Sequence, residues 1–131
     1  MKTRSIISVA ALVVALIAGC SSNNSLAPFS PEVANNPDTF QFQATGITNV
    51  STTVVYTWTN TGTTANIDQS SAITNGSATV TVTDANSTEV YSGDLATGGS
   101  FTTSAGTAGD WTITVVINGL SGTLNFRAQK P

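Results

Sequence analysis

From Thr39 onward the chain alternates apolar and polar residues with a period of two. The run "TFQFQAT" sets Phe40 and Phe42 against Gln41 and Gln43, and "TVVYTWTN" puts Val54, Tyr56 and Trp58 on one face with Val55, Thr57 and Thr59 on the other. "ATVTVTD" opposes Val80 and Val82 to Thr79, Thr81 and Thr83. "WTITVVI" aligns Trp111, Ile113, Val115 and Ile117, and "TLNFRAQ" aligns Leu124, Phe126 and Ala128. Successive side chains of a strand point to opposite faces, so each run predicts a half-buried strand. Weaker runs at 64–73, 88–92 and 100–104 complete the set. Between the runs stand "NTG" (60–62), "NG" (75–76), "DANS" (84–87), "GG" (98–99), "AGTAG" (105–109) and "NG" (118–119), residues that tolerate positive φ or cap tight turns. Seven to nine short antiparallel strands, each with one apolar face, must bury those faces against each other. The expected fold is all-β, a small β-sandwich of jelly-roll or immunoglobulin-like type, with a small barrel as the alternative. Trp58 and Trp111 share faces with aliphatic residues and are expected in the core.

The first twenty residues, "MKTRSIISVAALVVALIAGC", follow a different rule. Lys2 and Arg4 precede a largely apolar stretch of 13 residues from Ile6 to Ala18, which is shorter than the ~20 residues a spanning helix needs. A basic start, an apolar middle and small residues at the end are the three parts of a secretory signal. Here the boundary also carries Cys20, the sole cysteine of the chain. "LIAGC" resembles the lipobox of bacterial lipoproteins, with Leu16, Ile17, Ala18 and Gly19 as the signal-peptidase recognition residues. The resemblance implies that Cys20 receives a diacylglyceryl thioether and, after cleavage before it, an acyl group on its new amino terminus. Two or three acyl chains hold a protein on a membrane where one is marginal, since each buried methylene contributes ~0.8 kcal/mol. Ser21 in the sorting position resembles the outer-membrane class of Gram-negative lipoproteins.

Residues 1–19 are thus expected to be a helical signal peptide and residues 20–38 the lipidated start of a linker. The stretch "SSNNSLAPFSPEVANNPD" holds Pro28, Pro31 and Pro37 and has no apolar period, the composition of a spacer. Docking of Phe29 or Val33 on the domain is the other reading of that stretch. The sandwich is expected over 39–131.

Composition narrows the chemistry. There is no histidine, which removes the commonest general base and transition-metal ligand. Past residue 20 only Arg127 and Lys130 stand against seven acids, a side-chain balance of −5 with no basic run, so nucleic-acid binding lacks an electrostatic footprint. No G-x-S-x-G elbow is present. "DANSTE" offers Asp84, Asn86 and Thr88 as alternating oxygen donors, yet the sixth-position glycine of a calcium loop is absent and its twelfth position is Leu95. A hairpin turn is the plainer reading. A ligand site assembled in space from Asp84, Asp94 and Asp110, with Tyr91 as an aromatic contact, is the remaining candidate. The scattered sequons are expected by chance in a chain this rich in Asn, Ser and Thr.

The second half, "ATVTVTDANSTEVYSGDL" followed by "FTTSAGTAGDWTITVVINGLSGTLNFRAQ", resembles in its strand-and-turn rhythm the small jelly-roll sandwiches of pre-peptidase C-terminal and Golgi-dynamics domains. That likeness implies a non-catalytic accessory or binding module. The expectation is a lipid-anchored envelope protein without enzymatic activity or cofactor other than its covalent lipid. Its partners are membrane lipid and an envelope protein, or alternatively a glycan.

Overall fold

The computed structural model describes residues 29–131, and these are all-β: seven antiparallel strands and no helix. The strands are β1 (Glu32–Asn36), β2 (Thr39–Asn60), β3 (Asn66–Gln69), β4 (Ala72–Thr83), β5 (Glu89–Asp94), β6 (Gly99–Thr102) and β7 (Gly109–Gln129). Hydrogen bonds link them into one continuous sheet, in which β7 pairs with β2, β3 and β4.

That sheet is folded over on itself. Phe40 and Tyr56 belong to the same strand, and at ~3.3 Å per residue a straight strand would set them roughly 50 Å apart. Their ring centroids lie 5.3 Å apart. The first half of β2 therefore packs face to face on the second. β7, its partner along its whole length, folds with it. The first layer runs β1, β2 (first half), β7 (second half), β3, β6; the second runs β2 (second half), β7 (first half), β4, β5. A small β-sandwich is the result, made by bending strands rather than by stacking separate sheets.

The bends explain why seven strands suffice. The β2–β7 register slips between Ala44 and Ile47, Ile47 and Val50, and Val50 and Thr52. The β4–β7 register slips on either side of Asn75. The two Asn-Gly pairs expected as turns between strands, at 75–76 and 118–119, are bends within β4 and β7. Gly76 has φ +75°, and any Cβ there would run into the Gly119 carbonyl of the neighbouring strand. Positive-φ chemistry serves a β-bulge as well as a hairpin, and here it lets two backbones cross tightly where both fold over.

The buried faces are those of the period-two pattern. Trp58 and Trp111, opposite each other in the ladder, meet edge to face at 5.9 Å and are fully buried. Phe40, Phe42 and Phe126 form a second aromatic cluster, with Phe42 stacked on Phe126 at 5.3 Å. Burying one such side chain contributes about 1.5–3 kcal/mol, so these rings dominate the core.

The N-terminal segment departs from expectation. The linker expected to run to Asp38 is structured from Phe29: that ring is only 4% exposed and packs on Phe42, and β1 pairs with β2 from Glu32 opposite Gln43 to Asn36 opposite Thr39. Every residue of β1 is exposed, so no apolar alternation marked it. Backbone pairing and side-chain bonds hold it. Asn35 Nδ2 donates to the Thr57 carbonyl at 2.8 Å, and Trp58 Nε1 donates to the Asn36 carbonyl at 3.0 Å.

Candidate functional site

Of the acids singled out in the sequence, Asp84 and Asp94 are occupied with turns and Asp110 with a cross-strand bond. Asp84 follows β4 and is buried. Its carboxylate accepts from the amides of Asn86 (2.9 Å), Thr88 (2.9 Å) and Thr107 (2.8 Å). The Thr107 and Thr88 amides above all hold its carboxyl below the usual range. Thr107 also accepts the Trp111 indole N–H through its carbonyl at 2.8 Å, so the β4–β5 turn, the β6–β7 loop and the tryptophan core are one bonded unit. Asp94 caps its own turn by accepting from the Ala96 amide at 2.8 Å. Asp110 accepts from the Thr59 hydroxyl at 3.3 Å. These three do not converge: among the described residues no three of His, Cys, Asp or Glu gather closely enough to hold a metal ion.

Tyr91 is half-buried rather than displayed. Its hydroxyl donates to Gln69 Oε1 at 2.5 Å, and its ring leans on Phe101 at 6.0 Å. Gln69 in turn donates to the carbonyls of Asp94 (3.0 Å) and Thr97 (2.6 Å). This group seals the side of the sandwich where β3 and β6 face β5, and burial pushes the phenol pKa up. Leu16, Ile17, Ala18, Gly19, Cys20 and Ser21 lie outside the described residues.

Two features went unread in the sequence. The first is a corner made by Asp38, Thr61 and Lys130. Asp38 accepts from the Thr61 amide at 2.7 Å and from its hydroxyl at 2.9 Å. Lys130 donates to that hydroxyl at 2.9 Å and stands 3.7 Å from the carboxylate. The Thr61 amide is the main cause of a lowered Asp38 pKa.

The second is a polar trough on the outer face of the first layer. The ladder registers place Ala34, Gln41, Arg127, Asp68 and Ser100 in one row across five strands, about 19 Å long at ~4.8 Å per strand. Shallow depressions along this face share residues and so run together: Glu32 and Gln43 at one end, Gln41 in the middle, Asp68 toward the other. Arg127 donates to Asp68 at 3.2 Å and the Ser100 hydroxyl to the same carboxylate at 2.6 Å, leaving the row's centre neutral. The Ser100 bond, then Arg127, lowers the Asp68 pKa. What the trough offers is planar amides, from Gln41, Gln43 and Asn125, and hydroxyls. Alternation marked these residues as outward; only the register shows that they align.

The second layer turns a different face outward. Across β2, β7 and β4 its rows are Thr53–Val116–Thr79, Val55–Thr114–Thr81 and Thr57–Thr112–Thr83, methyls and hydroxyls; charge enters at β5, where Asp94 stands opposite Thr79 and Glu89 opposite Thr83.

Compared with known protein families and with curated proteins, the chain matches no family model and no curated protein.

Proposed function

We propose that this chain is a lipid-anchored, non-catalytic lipoprotein of the bacterial cell envelope, whose β-sandwich serves as a structural or protein-binding accessory. One observation carries the reading: the lone cysteine follows directly on a short apolar run with a basic start, in the context "LIAGC". Lipid on Cys20 is the only covalent group it requires, and Ser21 points to the outer membrane. The rest of the chain is in keeping. It has no histidine, and Asp38, Asp68, Asp84 and Asp94 are engaged in ion pairs and turns rather than poised in a cleft. Both tryptophans are core residues, which favours a scaffold over an aromatic sugar platform.

Membrane fractionation and intact-mass measurement test it together. The wild type is expected in the membrane fraction with the mass of residues 20–131 plus a diacylglyceryl group and an acyl chain. Cys20→Ala is expected to leave that fraction. A wild type of unmodified or uncleaved mass overturns the reading. Affinity purification from solubilised membranes then identifies the protein partner.

A second reading, glycan binding, is favoured by the trough. Planar amides and hydroxyls around a neutral centre suit an uncharged, hydroxyl-rich chain. Addition of a neutral β-1,4-linked hexasaccharide would then shift the side-chain amide resonances of Gln41, Gln43 and Asn125, with tryptophan fluorescence unchanged.

A further inference from the structure

The sandwich has two unlike ends. At one, β2, β4 and β7 bend, and the backbone crosses between layers with no loop. The segments there, 45–51, 71–78 and 117–124, contain no Asp, Glu, Lys or Arg. Their exposed residues include Thr48, Asn49, Thr74, Asn75, Ser77 and Asn118. At the other end stand Asp38, Asp84, Glu89, Asp110 and Lys130. Two acids lie nearest the bends: Asp94, opposite Thr79, and Glu32, opposite Gln43 and sharing a depression with Thr45.

The chain enters the fold near the bends. Glu32 pairs with Gln43, just before the first register slip of β2, whereas Asn36 pairs with Thr39 at the loop end. Phe29, three residues before Glu32, is pinned against Phe42. Between Cys20 and Phe29 stand residues 21–28. Nine Cα–Cα steps reach at most about 32 Å in any conformation. Running back from the level of Glu32, where the chain joins the sheet, to that of Asn36 takes about 13 Å. A domain with its loop end on the bilayer would spend about two-fifths of the tether's reach lying alongside itself. With its bends on the bilayer it spends none.

From this geometry we infer that the bend end is a lipid-facing surface: in the anchored protein it rests against the headgroups and holds the acidic loop end outward. The inference rests on the anchoring reading above. Charge agrees with the tether. A domain with a balance of −5 meets anionic headgroups at least cost through the end whose crossing segments carry no charge, with Glu32 and Asp94 its nearest acids. The hydroxyls and amides displayed there are suited to hydrogen bonding with phosphate and glycerol oxygens.

The test uses the full-length protein purified from bacterial membranes and reconstituted into phosphatidylethanolamine–phosphatidylglycerol vesicles containing an acceptor-labelled lipid. Donor dye is placed on Thr74→Cys at the bends or on Ala85→Cys at the loops, both exposed positions. Energy transfer is expected to place the Thr74 dye nearer the bilayer than the Ala85 dye by about 25 Å, the length of eight strand residues. Equal distances, or a nearer Ala85 dye, overturn the inference while leaving the anchor intact. So does a protein partner seated on the bends, which would hold the Thr74 dye away from the lipid. If neither variant floats with the vesicles and Cys20 reacts with maleimide, the anchoring reading fails and takes this one with it.

Discussion

The bend end and the loop end solve the same problem, joining two layers, by different physics. At the bends the backbone itself passes from layer to layer. The ladder of β2 and β7 slips by residues instead of stopping, and Gly76 lets β4 cross the Gly119 carbonyl. At the loops the layers are joined by side chains: Asp84 gathers three amides, Asp38 gathers Thr61 and Lys130, and Asn60 bonds across its own turn to Gly62 (2.8 Å) and Thr64 (3.2 Å). One end depends on conformation and close approach, the other on ionised carboxylates. Acid should therefore loosen the loops and spare the bends.

The largest expected effect undermines the loop end from below. Trp111→Ala removes a fully buried ring that also bonds Thr107, and should cost about 3–5 kcal/mol in chemical denaturation. A loss under about 1 kcal/mol would show that the turns stand without the indole pair. Next, Gly76→Ala at the bends combines a positive φ with a backbone clash, and about 2–3 kcal/mol of destabilisation is expected. That loss should be the same at pH 7 and pH 3, since no titratable group is involved; a strongly pH-dependent loss would break the comparison.

Asp84→Asn supplies the contrast. Its side-chain amide nitrogen cannot accept the N–H bonds that the second carboxylate oxygen takes, so melting temperature should fall at neutral pH. The carboxyls of Asp84 and Asp38 lie below their ordinary 3.8 in the folded protein. Their contribution is therefore complete above about pH 4 and is lost as pH falls through the depressed values. Wild-type stability should be level from neutrality to about pH 4 and drop below it, and the Asp84→Asn deficit should shrink over that range. A deficit that persists unchanged at pH 2 would assign Asp84 a merely steric role. The smallest effect belongs to Val55→Thr on the open face of the second layer. Val55 is 59% exposed between threonine rows, so stability should move by less than about 0.5 kcal/mol.

Much of this was legible from period two alone. The inward sets Trp111–Ile113–Val115–Ile117 and Leu124–Phe126–Ala128 are buried as expected, as are Val80 and Val82. The weak runs became β3, β5 and β6. What alternation does not encode is whether the chain reverses at a flexible pair or merely bends, because Asn-Gly at 75–76 and 118–119 has the same local chemistry in either case. Nor does it encode β1, whose "EVANN" buries no side chain and is held by a neighbouring strand and a distant indole. The Asp84 turn was readable as a turn, but its third donor, Thr107, lies across a loop. The trough depends on which rungs of three ladders fall side by side, a long-range property that single-strand patterns cannot carry.

Because β2 and β7 are single long strands from opposite ends of the domain, the central ladder joins partners as far apart in sequence as Thr39 and Gln129. Little of it can form until almost the whole polypeptide is available, and closing so large a ring costs entropy before any rung repays it. Such topologies assemble in milliseconds to seconds rather than microseconds. A protein made this way acquires its shape late. That timing would suit the lipoprotein proposed above, which would be threaded across a membrane before it folds.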